Sequence, residues 1–156
     1  MHELKEDVGV SGTWLFTWRD EAGNVETREE HNLITQSGLE AIAALFIAEL
    51  PANNAMYLAL GTGTTAAANG DKKLEIEGFR KILTSKTREL NEVRLRFFLT
   101  TGEANGDWSE LGIMLSATGI KDSGTMLNRI LPPGGIRKAS NQTLTVEVRI
   151  KFQGVN

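Results

Sequence analysis

The chain has 156 residues, 40% of them hydrophobic and 24% charged, and a formal net charge of −3. That length supports one domain with a substantial core and is short for two. The absence of cysteine excludes a disulfide framework and a thiolate metal site, no apolar run approaches the roughly 20 residues a membrane span needs, and the acidic start Met1–Asp7 lacks the pattern of a secretory signal.

Taken in chain order, Thr13–Trp18 alternates and is rich in aromatic and β-branched residues, which predicts a strand with Trp14, Phe16 and Trp18 facing the core. Asp20–Asn24 has turn chemistry, and Val25–His31 returns as a polar edge strand. Ser37 and Glu40 fit a capping box, with Ser37 as N-cap and Glu40 at the third helical position. Leu39, Ile42, Ala43, Phe46 and Leu50 follow at helical spacing until Pro51 stops the run, predicting a helix over about residues 38–50. Ala41, Ala44, Leu45, Ile47 and Ala48 leave it almost no polar face, so its own sheet or a partner subunit must cover it.

Met56–Ala66 runs from a short apolar strand into a glycine-threonine loop, and Gly61-x-Gly63-x-x-Ala66 has the spacing of a dinucleotide fingerprint. That chemistry needs a helix starting at once after the turn, its N-terminus facing the pyrophosphate. Here Asn69-Gly70 breaks the chain after one turn at most, no parallel strand follows, and the lysine of a P-loop is missing. The two glycines instead predict a backbone that approaches a neighbour closely, with the threonines satisfying the turn.

Downstream the pattern is β. Phe79–Arg88 and Asn91–Thr101 are expected as a hairpin, with Val93, Leu95, Phe97 and Leu99 on one face. Glu110–Leu115 and Thr125–Leu131 are shorter strands, and Pro132–Gly135 must turn. In the last strand Leu144, Val146, Val148, Ile150 and Phe152 alternate with Thr143, Thr145, Glu147, Arg149 and Lys151, giving one dry and one wet face. The fold class is therefore mainly β, an antiparallel β-sandwich with one packed α-helix. Residues 1–24 are expected as an acidic N-terminal arm or strand, an attachment segment, and residues 25–156 as the sandwich domain.

Candidate chemistry is thin. His2 and His31 are far apart, and both lie in acidic polar segments. Glu103, Asp107 and Glu110 are close enough for an acid/base pair or a calcium site, but their loop is ordinary turn chemistry. No serine sits in a Gly-x-Ser-x-Gly elbow. The expectation is a non-enzymatic chain with no catalytic residue, cofactor or metal. Charge is segregated: residues 1–31 hold three basic against eight acidic side chains, and residues 79–101 six basic against two acidic. Two readings of that asymmetry stay open: two solvated sheet faces, or contact between the acidic end of one copy and the basic segment of another. Nucleic acid suits the basic segment poorly, because the chain is net negative and only Phe97 and Phe98 are there to stack.

The order of these segments resembles a group of small structural proteins of tailed bacteriophages and prophages, the tail fibre or baseplate-associated proteins. The likeness rests on His31–Leu39 leading into the apolar helix, then Leu58–Thr65, Gly78–Lys81, Glu103–Asn105, Glu110–Ile113, Gly124–Leu127, Ile130–Pro133 and Asn141–Val146. It spans roughly residues 25–152. It implies a virion component that is assembled in the bacterial host cytoplasm and works as a homo-oligomer, touching other copies of itself and other virion proteins but neither nucleic acid nor membrane. The expected subunit contacts are Leu39, Ile42, Phe46 and Leu50 on the helix and Arg80, Arg88, Arg94 and Arg96 on the basic segment. Two alternatives stay open: a capsid decoration or cement protein, and a host-surface carbohydrate-binding module using Trp108 or Tyr57.

Overall fold

Two fourteen-residue strands carry the architecture: β1 (Asp7–Asp20) and β11 (Gln142–Val155) pair antiparallel along their whole length, from Asp7↔Val155 to Asp20↔Gln142. The computed structural model describes residues 7–49 and 55–155, so His2, Leu50 and Pro51 lie outside the described residues. β2 (Val25–Leu33) pairs with the other side of β1. β1 is thus an inner strand of the sheet and part of the sandwich, which corrects the expected boundary at residue 24. The first sheet has the order β2-β1-β11-β6-β5, completed by β5 (Ser85–Glu89) and β6 (Glu92–Leu99). The second has the order β4-β3-β8-β9, from β3 (Tyr57–Gly61), β4 (Glu77–Ile82), β8 (Glu110–Leu115) and β9 (Thr125–Ile130). A ribbon of β7 (Gly106–Trp108) and β10 (Ile136–Lys138), which periodicity did not reveal, joins the layers.

The alternation read from sequence becomes the interlayer core. Trp14, Phe16, Phe97, Leu99, Leu144, Val146 and Val148 of the first sheet are fully buried against Leu58, Leu60, Leu111 and Ile113 of the second. The rings of Trp14, Phe16 and Trp18 follow one another with centroids 6.2 and 5.9 Å apart. Each such apolar side chain contributes roughly 1.5–3 kcal/mol on full burial, so this core rather than the helix dominates stability. The second sheet is covered on its outer face as well, where Ala59, Met114, Met126 and Ala117 pack under Leu74 of the loop between β3 and β4.

The expected Phe79–Arg88 strand is in fact two. β4 belongs to the second sheet and β5 to the first, and the chain crosses between them at Leu83 and Thr84. Leu83 N–H still donates to Met56 O, while Thr84 N–H already donates to Arg96 O.

The helix α1 spans Gln36–Leu45 and is capped by Thr35, whose hydroxyl accepts from Gly38 N–H at 3.1 Å. Ser37, the expected cap, donates its hydroxyl to Met126 O at 2.9 Å instead. The cap falls two residues earlier because Thr35 is fixed from outside: its N–H donates to Leu127 O at 3.0 Å and its hydroxyl lies 3.0 Å from Met126 O. The start of α1 therefore closes the free edge of β9, a row of carbonyls that would otherwise be open to pairing. The far end stops short of residue 50. Glu49 N–H donates to Ala44 O and Ala48 N–H to Leu45 O, with Ala48 in the left-handed region at φ 53°, the hydrogen-bond pattern of a Schellman stop.

Candidate interaction surface and the glycine loop

The glycine loop is built around a buried carboxylate. Glu110, at the start of β8, has no exposed surface. Its Oε1 accepts from Gly63 N–H at 3.0 Å and Ile76 N–H at 2.7 Å, and its Oε2 accepts from Glu75 N–H at 3.0 Å. Arg129 of β9, with 3% of its side chain exposed, donates Nε to the same carboxylate at 3.0 Å. Its other nitrogens reach Asp71 Oδ2 and Thr65 O, each at 2.9 Å. One ion pair thus pins the whole loop between β3 and β4 at both ends and in the middle.

Gly61 and Gly63 are the consequence. A Cβ on Gly63 would lie 2.5 Å from Glu75 Cβ and 2.6 Å from Glu110 Oε1, and one on Gly61 would strike Ile76 O and Glu110 Oε1. The expected close approach is present, and a carboxylate rather than a phosphate occupies the cradle. In the turn the threonines donate their N–H groups, Thr62 to Ile76 O and Thr65 to Glu75 Oε2. A cleft between this loop and the start of α1 is lined by Ile34, Thr35, Leu39 and Arg129. The guanidinium on its wall is directed at Glu110, Asp71 and Thr65.

Burial alone would raise the Glu110 carboxyl, but the N–H groups of Ile76 and Glu75, then Arg129 and Gly63, outweigh it and hold the group below the ordinary glutamate value. Glu147 is likewise buried, and Arg96 and Arg149 hold it low. Both carboxyls bind their protons more weakly folded than unfolded, so the unfolded chain takes up protons as acid is added. Stability should stay level above the unfolded value of 4.5 and fall as the pH drops through the lower folded values. A series of urea titrations between pH 7 and pH 3 checks this, and a midpoint that stays flat to pH 3 would refute it.

The acidic trio does not converge. Glu103 pairs with Lys81 at 2.7 Å, Asp107 with Arg137 at 3.9 Å, and Glu110 with Arg129. His31 is exposed, near Glu29 and Thr13. Among the described residues no group of three His, Cys, Asp or Glu is placed to hold a metal.

The expected subunit-contact residues separate into two kinds. On the helix, Ile42 packs against the core, Leu39 is 39% exposed and Phe46 is 88% exposed. Leu45 and Ile47 beside Phe46 are 60% and 65% exposed. The helix is therefore covered on its Gly38, Ala41 and Ile42 side by β9 and bare at its C-terminal end.

Each of the four arginines has a partner within the fold, and only Arg96 takes a carboxylate from far along the chain. The Arg80 side chain is 6% exposed: it pairs with Glu77 at 2.8 Å, donates to Thr118 O at 2.6 Å, and lies over the Tyr57 ring 5.5 Å from its centre. Arg94 pairs with Glu92 and Glu89, and Arg96 with Glu147. Arg88 donates to Leu90 O on the exposed hairpin. Of the four, Arg80 is a structural residue, which corrects its placement at an interface. Trp108 is half-buried with its indole N–H donated to Ala104 O at 2.8 Å, and the Arg80 guanidinium lies over the Tyr57 ring.

Comparison with family models, with curated proteins and with solved structures finds no match. Among the described residues no helix is long and apolar enough to cross a membrane.

Proposed function

We propose that this chain is a structural subunit of a tailed-phage particle, in its fibre, baseplate or adaptor region, and that it acts by assembling with copies of itself and with other virion proteins rather than by catalysis. The observation that carries the assembly reading is the bare helix end. Leu45, Phe46 and Ile47 stand exposed in succession on a sandwich whose remaining large aromatics are mostly packed. Contiguous apolar surface of this kind marks a contact site on a soluble protein. The virion setting is supported by the resemblance in segment order to phage tail proteins.

Phe46→Asp separates folding from assembly. Because Phe46 is 88% exposed, the variant should unfold within about 0.5 kcal/mol of the parent. It should also elute as a smaller species in size-exclusion chromatography with light scattering. A parent that is monomeric at high concentration, or a variant that assembles like the parent, would sink the reading. Copy number per particle separates a tail position, with tens of copies or fewer, from the capsid-decoration alternative, with hundreds.

A further inference from the structure

Among the described residues Lys138 is the one lysine the fold buries outright, at 1% exposure. No carboxylate among the described residues lies within ion-pair distance of its amine. Nζ instead sits 2.6 Å from Asn105 Oδ1, with Thr101 O and Ala139 O farther off at 3.3 and 3.4 Å. A buried amine without a counter-ion is costly as a cation. Here it also faces a side-chain amide whose carbonyl carbon is one bond beyond the atom it touches.

We propose that Lys138 and Asn105 are joined in the folded protein by an isopeptide bond, formed by attack of the Lys138 amine on the Asn105 side-chain amide with loss of ammonia. The surroundings supply what the step needs. Burial pushes the Lys138 amine below the usual lysine value, against a smaller opposing pull from Glu103, and so favours the neutral nucleophile. The reacting segments are held in register, since β10 pairs with β7 at Lys138↔Gly106, next to Asn105. Two indoles brace the backbone beside each partner: Trp18 donates to Arg137 O at 2.9 Å and Trp108 to Ala104 O at 2.8 Å. The amide itself is oriented by Asn105 Nδ2 donating to Thr101 O at 2.9 Å. Such fixed proximity is what makes a slow bimolecular exchange feasible within one fold.

The balance closes without an oxidant or cofactor. The Lys138 amine enters the step in its neutral form, and its Nζ lone pair forms the new bond to Asn105 Cγ. One Nζ proton passes to Nδ2 as the Cγ–Nδ2 bond breaks, and Nδ2 leaves as ammonia. Amine and amide go in; the substituted amide and ammonia come out. The product ties the turn before β7 to β10 across 33 residues of chain. The cross-link does not depend on the virion role proposed above.

The test is the mass of the intact purified chain and of its tryptic peptides. The expected mass is lower than that of the sequence by one ammonia, with a branched peptide joining Asn105 to Lys138 and no cleavage after Lys138. Lys138→Arg and Asn105→Ala should each show the full mass of its own sequence. An unshifted mass for the folded parent overturns the proposal and leaves Lys138 as a hydrogen-bond donor only. Loss of ammonia with normal cleavage after Lys138 also overturns it, because Asn105-Gly106 would then have cyclised on its own backbone.

Discussion

Glu110→Ala should lower the unfolding free energy by about 3–5 kcal/mol, the cost of removing one partner from a buried ion pair. The loss has two parts. Arg129 keeps Asp71 and Thr65 O but loses the carboxylate that neutralises it in the interior. Separately, the N–H groups of Gly63, Glu75 and Ile76 lose their acceptor, and a buried donor left unsatisfied costs about 1–3 kcal/mol. Adding Arg129→Met to Glu110→Ala should recover the first part and not the second, so the double variant should lie between the parent and the single variant. Urea unfolding measures all three. A Glu110→Ala midpoint equal to that of the parent would mean that the loop is held by something else.

Alanine at Gly61 or Gly63 should cost about 1–3 kcal/mol each, the range for forcing atoms into a packed site. The added carbon has nowhere to go: at Gly61 it meets the backbone carbonyl of Ile76, and at Gly63 the Cβ of Glu75, with the Glu110 carboxylate against both. Gly70 lies in the same loop with nothing within 4 Å of its would-be Cβ, so Gly70→Ala is the internal control and should change little. Thermal unfolding of the three variants decides the matter. Equal melting temperatures for Gly63→Ala and Gly70→Ala would refute the close-approach account.

These two results concern the part of the molecule where sequence and structure meet most instructively. The glycines announced a close approach, and the loop shows one. What they approach was not legible, because Glu110 lies 47 residues beyond Gly63 and stood among acidic turn residues with no local sign of burial. A signal existed in retrospect: Glu110 and Arg129 are lone charges heading or interrupting apolar strands. Register places Arg129 opposite Gly112, two residues from Glu110 on the same face. The alternating strands were legible for the converse reason, since Trp14–Trp18 and Leu144–Ile150 carry their inside-outside assignment residue by residue.

Two other features were not legible from the local pattern. Arg96 stood within a basic excess when charge was counted locally, but Glu147 reaches it from 51 residues away. The passage from the second sheet to the first at Leu83-Thr84 contains neither glycine nor proline, so Phe79–Arg88 read as one continuous strand. The helix was legible as apolar all round. Which part its own sheet covers was decided by Thr35 bonding to the β9 edge, leaving the Leu45–Ile47 end bare.

That bare end and the resemblance to phage tail proteins support the proposed role together, and one observation tests it most directly. Antibody raised against this chain, gold-labelled and imaged on intact tailed particles from the source culture, should mark the tail or its baseplate. Particles that carry no label, with the chain recovered only free in the lysate, would contradict a structural place in the virion.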